Sequence, residues 1–183
     1  MIVLLNGAFG IGKTVVARAL VSRIPDSILF DPEMIGVVLQ RTGRLLGRPV
    51  EDFQDLASWR RLTVLGLRAA RAVRSNVVVP MAFSNVSYLR EVREGVGQFE
   101  PQLFHFCLVA PLDVVHARLR ERSCDPSDPK QEWSFRRATE CCAVHSGDAF
   151  AEHVSAVGRS PVEIANGIIE RLASETGRNL GHV

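Results

Sequence analysis

The sequence predicts a three-layer α/β fold, a parallel sheet with helices on both faces. Two observations carry this. Short apolar, β-branched runs alternate five times with segments of helical periodicity. The first of those runs, Ile2 to Leu5, leads directly into a glycine-rich turn, Gly7-x-x-x-x-Gly12-Lys13-Thr14, and then into a helical pattern.

Taken in order, Ile2 to Leu5 reads as a buried strand and Thr14 to Ile24 as a helix. Ser27 to Phe30 is a second strand and Glu33 to Gln40 a short helix. Residues 41–54, with Gly43, Gly47 and Pro49, read as irregular. Asp55 to Arg74 is the longest helix, with Leu56, Trp59, Leu62, Leu65 and Ala70 among its apolar positions and arginines opposite. Asn76 to Val79 is a third strand, and Val86 to Glu94 a helix closed by Gly95. Leu103 to Val109 is a fourth strand, and Pro111 opens a helix that runs to Arg122. The polar, proline-bearing stretch 123–132 reads as a loop and Ser134 to Val144 as a helix. His153 to Val157 is the fifth strand. Ser160, Pro161 and Glu163 make a capping-box start for the last helix.

A chain of 183 residues fits one domain over 1–183. Its net charge of +2 gives no electrostatic case for a nucleic-acid or membrane partner. The opening residues lack the sections of a signal peptide, and no apolar run approaches the ~20 residues of a membrane span. Cys107, Cys124, Cys141 and Cys142 form no CxxC or metal-ligand spacing. A reducing, cytoplasmic setting is the expectation.

The turn behind the first strand carries the chemistry. Gly7, Ala8, Phe9, Gly10, Ile11 and Gly12 let successive backbone N–H groups converge on one point, and the helix behind them adds its positive end. Lys13 supplies a full charge to β- and γ-phosphates, and Thr14 a hydroxyl to Mg²⁺. A polyphosphate, ATP with Mg²⁺, is the ligand that needs all of these. GTPase base-reading and switch motifs are absent. Asp31, at the end of the second strand, faces the ligand crevice of such a sheet. It is the candidate base for an attacking hydroxyl, or a holder of the metal's water shell. The alternative is a helix cap.

Arg118 and Arg122 share a helix face and, with Arg136 and Arg137 beyond the polar loop, outline a small lid over 118–137. Glu33, Asp52, Phe53, Gln54, Trp59, Arg60 and Met81 are the candidate acceptor-binding residues. Trp59 also fits a core position. The apolar stretch Val79 to Ser84 hints at a lipophilic acceptor.

"NGAFGIGKT", "DPEMIG", "DFQ", "WR", "VPM" and "RLRER", in that order, resemble the tunicamycin resistance ATP-binding proteins, within the kinase-like branch of P-loop proteins. The resemblance spans Ile2 to about Leu172. It implies strand order 2-3-1-4-5, ATP binding through Gly10, Gly12, Lys13 and Thr14, and a base at Asp31. It also implies protection against a lipid-tailed nucleoside antibiotic, by phosphorylation or by sequestration. A metabolic small-molecule kinase is the further alternative. The chain departs at Ala156-Val157-Gly158, where relatives often carry Thr-Asp. Its C-terminal stretch is not amphipathic, so stable membrane attachment is not expected.

Overall fold

The computed structural model describes residues 1–122, 129–150, 152–177 and 180. Five parallel strands, β1 (Ile2–Gly7), β2 (Ser27–Leu29), β3 (Asn76–Met81), β4 (Leu103–Val109) and β5 (His153–Ser155), form one sheet in the order β2-β3-β1-β4-β5. Leu4 of the central strand lies opposite Val79 on one side and His105 on the other. The helices are α1 (Lys13–Val21), α2 (Glu33–Leu45), α3 (Ala57–Val73), α4 (Val86–Gly97), α5 (Leu112–Arg122), α6 (Pro129–His145) and α7 (Pro161–Thr176).

The period-2 pattern of β1 divides the core. Met1, Val3 and Leu5 pack with Val16 and Leu20 of α1, Val115 of α5 and Ile164 and Ile168 of α7. Ile2 and Leu4 point the other way, toward Trp59 and Leu67 of α3 and Leu89 and Val92 of α4. A strand apolar on both faces belongs to a sheet covered on both sides.

Several boundaries differ from the sequence reading: α4 runs through Gly95 to Gly97, β5 ends at Ser155, and three others bear on the site. Helix α2 continues through residues 41–45, because its stop is Gly47 (φ +67°), which closes on the Arg44 carbonyl at 3.1 Å, and not Gly43. Helix α6 begins at Pro129; residues 123–128 of the expected loop lie outside the described residues. Strand β3 runs through Pro80 to Met81. In a parallel ladder alternate residues face the same neighbour. The Val78 carbonyl faces β2, accepting from Phe30 N at 2.9 Å, so Pro80 faces the same side two residues on. There β2 has already ended, its last paired residue being Leu29, and no amide hydrogen is needed.

Asn6 locks the end of β1 to the segment after β3. Its Oδ1 accepts from Phe83 N at 2.8 Å and its Nδ2 donates to Phe83 O at 3.2 Å. His145, near the end of α6, reaches the same carbonyl at 2.7 Å. The carboxyl ends of the strands are thereby held as one surface under the site. Among the described residues no helix is long and apolar enough to cross a membrane.

Candidate active site

The turn from Gly7 to Gly12 has the geometry of a phosphate cradle. Gly10 and Gly12 sit at φ +83° and +101°, where a side chain is strained. At Gly10 there is also no room, because a Cβ would lie 2.6 Å from Leu119. Helix α1 starts with neither a side-chain cap nor an acidic residue in its first turn. Its N-terminal amides therefore keep their positive end for an anion.

Beside this turn lies a cavity of about 330 Å³, lined by Phe9, Lys13, Thr14, Glu33, Arg122 and Trp133 among others. Lys13 is only 8% exposed. Burial pushes its ammonium below its usual range, with Glu33 and Asp31 opposing the shift. Its Nζ sits 4.6 Å from the centroid of the Phe9 ring, a cation–π contact. Burial also pushes the Glu33 carboxyl above its usual range; Lys13 resists this and Asp31 adds to it. A buried cation and a half-buried carboxylate, each shifted by the same enclosure, share one wall.

Asp31 and Glu33 divide their work. Asp31 Oδ1 accepts the Glu33 amide at 3.0 Å, which caps the start of α2. The cap presents Glu33 to the cavity, so the capping reading of Asp31 holds for one of its oxygens. The turn is held from behind by Trp59, whose Nε1 donates to Pro32 O at 2.9 Å. Trp59 is a core residue, packed against Phe53 and Phe83 with centroids 5.1 and 5.6 Å away.

The other acceptor-side residues form a supporting floor. Gln54 Nε2 donates to Ala82 O at 3.2 Å, and Met81 is buried in the same cluster. Arg60 donates from Nε to Glu91 at 2.6 Å and from Nη1 to Gln54 O at 2.6 Å, and lies 4.1 Å from the centroid of the Tyr88 ring. Its guanidinium is therefore spent on positioning this floor. Asp52 caps the short 3-10 helix Phe53–Asp55 through Oδ1, and its Oδ2 meets Arg137 Nη2 at 3.2 Å.

Of the two candidate lid arginines on α5, Arg122 faces the cavity. Arg118 instead donates to Ile11 O at 3.0 Å and Ala156 O at 2.8 Å, tying the glycine-rich turn to the end of β5. The sequence reading missed Trp133. It packs edge-on against Phe9 and lines the cavity from α6. A tryptophan in the first turns of a polar helix carries no local signal of such a role.

The oxygen set fits Mg²⁺. Among the described residues no cluster of three or more His, Cys, Asp or Glu exists to hold a metal alone. Mg²⁺ needs only one or two protein oxygens, which Thr14 and Asp31 would supply, and takes the rest from phosphates and water.

Known structures agree with this architecture. The Deinococcus radiodurans tunicamycin resistance protein superposes with a TM-score of 0.72 at 27% identity, covering 100% of this chain and 99% of that one. The likeness read from the motifs is thus met in three dimensions. A gluconokinase from Sinorhizobium meliloti 1021 (TM-score 0.66, 18% identity, 96% and 93% coverage) shares the fold. So does the Acinetobacter baumannii shikimate kinase in complex with shikimate (0.59, 14%, 97% and 95%). No curated protein sequence matches the chain. The fold is that of P-loop kinase-like proteins. With the family model matching residues 2–137, most of the chain, this protein belongs to the AAA domain family.

Proposed function

We propose that the chain is an ATP- and Mg²⁺-dependent phosphotransferase of the tunicamycin resistance type, moving the γ-phosphoryl group to a hydroxyl of the antibiotic. The observation that carries the reading is the cavity itself, where Lys13, Thr14 and Arg122 share a wall with the carboxyl of Glu33. A phosphate cradle alone binds nucleotide. A carboxyl facing the same cavity gives the attacking hydroxyl somewhere to leave its proton.

In this reading the cradle amides and Lys13 hold the β- and γ-phosphates, and Arg122 neutralises charge on the transferring group. Mg²⁺, when bound, screens the phosphate oxygens. Thr14 and Asp31 would hold it, Asp31 through the oxygen that does not cap α2. Glu33, rather than Asp31, takes the proton as the acceptor oxygen bonds to phosphorus and the bond to the β-phosphate oxygen breaks. Burial favours this assignment, because a raised carboxyl is the stronger base.

The test is mass spectrometry of tunicamycin incubated with protein and Mg-ATP. A gain of one phosphoryl group, abolished by Glu33→Gln, is the expected result. Unmodified antibiotic held tightly in an ATP-dependent complex would instead make this a sequestering protein.

A further inference from the structure

We infer that Asp52 makes the acceptor side selective for an uncharged, hydroxyl-bearing molecule, by occupying the guanidinium of Arg137 and closing it to anions. The inference rests on the phosphotransferase reading and names the acceptor class of that site.

Besides Arg122 in the cavity wall, two guanidinium groups contact the acceptor-side residues, Arg60 and Arg137, and each already holds a carboxylate. Arg60 is held by Glu91, by the Gln54 carbonyl and by the Tyr88 ring. Arg137 meets Asp52 at 3.2 Å, Ser84 Oγ at 3.2 Å and Glu140 at 2.5 Å. Its Nε is its buried atom without a partner. The Arg137 and Asp52 side chains are 11% and 19% exposed, so water screens their pair little. Nor can Asp52 swing aside freely, since its other oxygen accepts the Gln54 amide at 2.9 Å.

An incoming carboxylate would have to displace Asp52 from Arg137 and then sit beside it. Two like charges in a poorly screened place repel strongly. The surroundings sharpen this, because Glu33 already feels the negative charges of Asp31 and Asp52. Asp31, Glu33 and Asp52 stand against Lys13, Arg122 and Arg137, which leaves no unmatched cation for an anionic acceptor. Hydroxyl groups are what such a surface accepts: they donate to carboxylates without adding charge.

Asp52→Asn separates charge from structure, because asparagine caps as well as aspartate. Calorimetric titration with D-gluconate, in the presence of Mg²⁺ and a non-hydrolysable ATP analogue, reads the outcome. The Asn variant is expected to bind gluconate at least about tenfold more tightly than the parent, the worth of one charge-assisted contact. Adding Arg137→Gln should remove that gain, and Asp52→Glu should show none. D-glucitol, which carries a hydroxymethyl in place of the carboxylate, should show no comparable gain. The inference is overturned by equal gluconate affinity in parent and Asn variant, by a gain that survives Arg137→Gln, or by an equal gain for glucitol. A failure of phosphoryl transfer would be seen separately, in the mass of the antibiotic.

Discussion

The indole of Trp133 meets the ring of Phe9 at a centroid distance of 5.0 Å and an interplanar angle of 72°. Phe9 in turn lies under the ammonium of Lys13. One aromatic pair thus joins α6 to the phosphate cradle and covers its only lysine.

The first prediction uses that pair. The chain has two tryptophans, and Trp59 is 1% exposed in the core. Mg-ATP titration should change the emission of Trp133 and leave that of Trp59 unaltered. The nucleotide-dependent change should persist in Trp59→Phe and vanish in Trp133→Phe. A signal that survives Trp133→Phe would show that nucleotide does not reach this wall.

Lys13 holds a charge against burial, and its folded pKa is lowered. Its charged form therefore costs stability, and that cost is relieved as pH rises through the lowered value. Lys13→Met removes the cost and keeps most of the stem. Without nucleotide, thermal unfolding should match or exceed the parent at pH 7, the change staying within about 1 kcal/mol. The rise in melting temperature caused by Mg-ATP should disappear.

Glu33 and Asp31 should separate kinetically. Glu33→Gln is expected to lower kcat by about 10²–10⁴-fold, the worth of a positioned base. Asp31→Asn keeps the cap and should act mainly on Mg²⁺ dependence, partly relieved by added Mg²⁺. The Glu33 carboxyl is raised, so its proton persists above the usual carboxylate range. The rate should therefore fall as pH drops through that raised value, and the residual activity of Glu33→Gln should lack this acidic limb. The same shift means that ionised Glu33 weakens the fold at neutral pH, so the Gln variant should unfold at a slightly higher temperature. A parent profile flat down to the usual carboxylate range would remove Glu33 from the role.

Arg118 is expected to matter for stability before chemistry. Its two bonds to Ile11 O and Ala156 O are charge-assisted and partly buried. Arg118→Ala should cost about 2 kcal/mol, measured by denaturant unfolding without ligand. An unchanged midpoint, with lost activity only, would make it a ligand-facing residue.

The parts of this molecule that were legible in the sequence are those written in short-range periodicity. Ile2 to Leu5 alternates between two faces, and the glycine-rich turn behind it has one plausible use, so β1, the cradle and α1 could be read directly. The strand order came from the motif resemblance, since pairing between β1 and β4 leaves no local trace. The site was legible as a list and not as an arrangement. Asp31 and Glu33 are two residues apart, and nothing local in the sequence says that Glu33 lines the cavity while one Asp31 oxygen accepts its amide. The Arg60–Glu91, Arg137–Asp52 and Phe9–Trp133 pairs join distant segments. Each depends on tertiary packing, which converted Arg60 from a candidate ligand into a brace.

Pro80 has an effect larger than its place in β3 implies. A strand that ends beside an unpaired amide can be lengthened by a small shift of the neighbouring chain, whereas a strand that ends beside a proline cannot. Because that nitrogen carries no hydrogen, Phe30 and Asp31 gain nothing by continuing alongside β3 and are free to turn toward the cradle. The mouth of the site thus stays open through a bond that cannot form. Replacing the ring with an ordinary amide would invite the sheet to grow into the space that the acceptor must use.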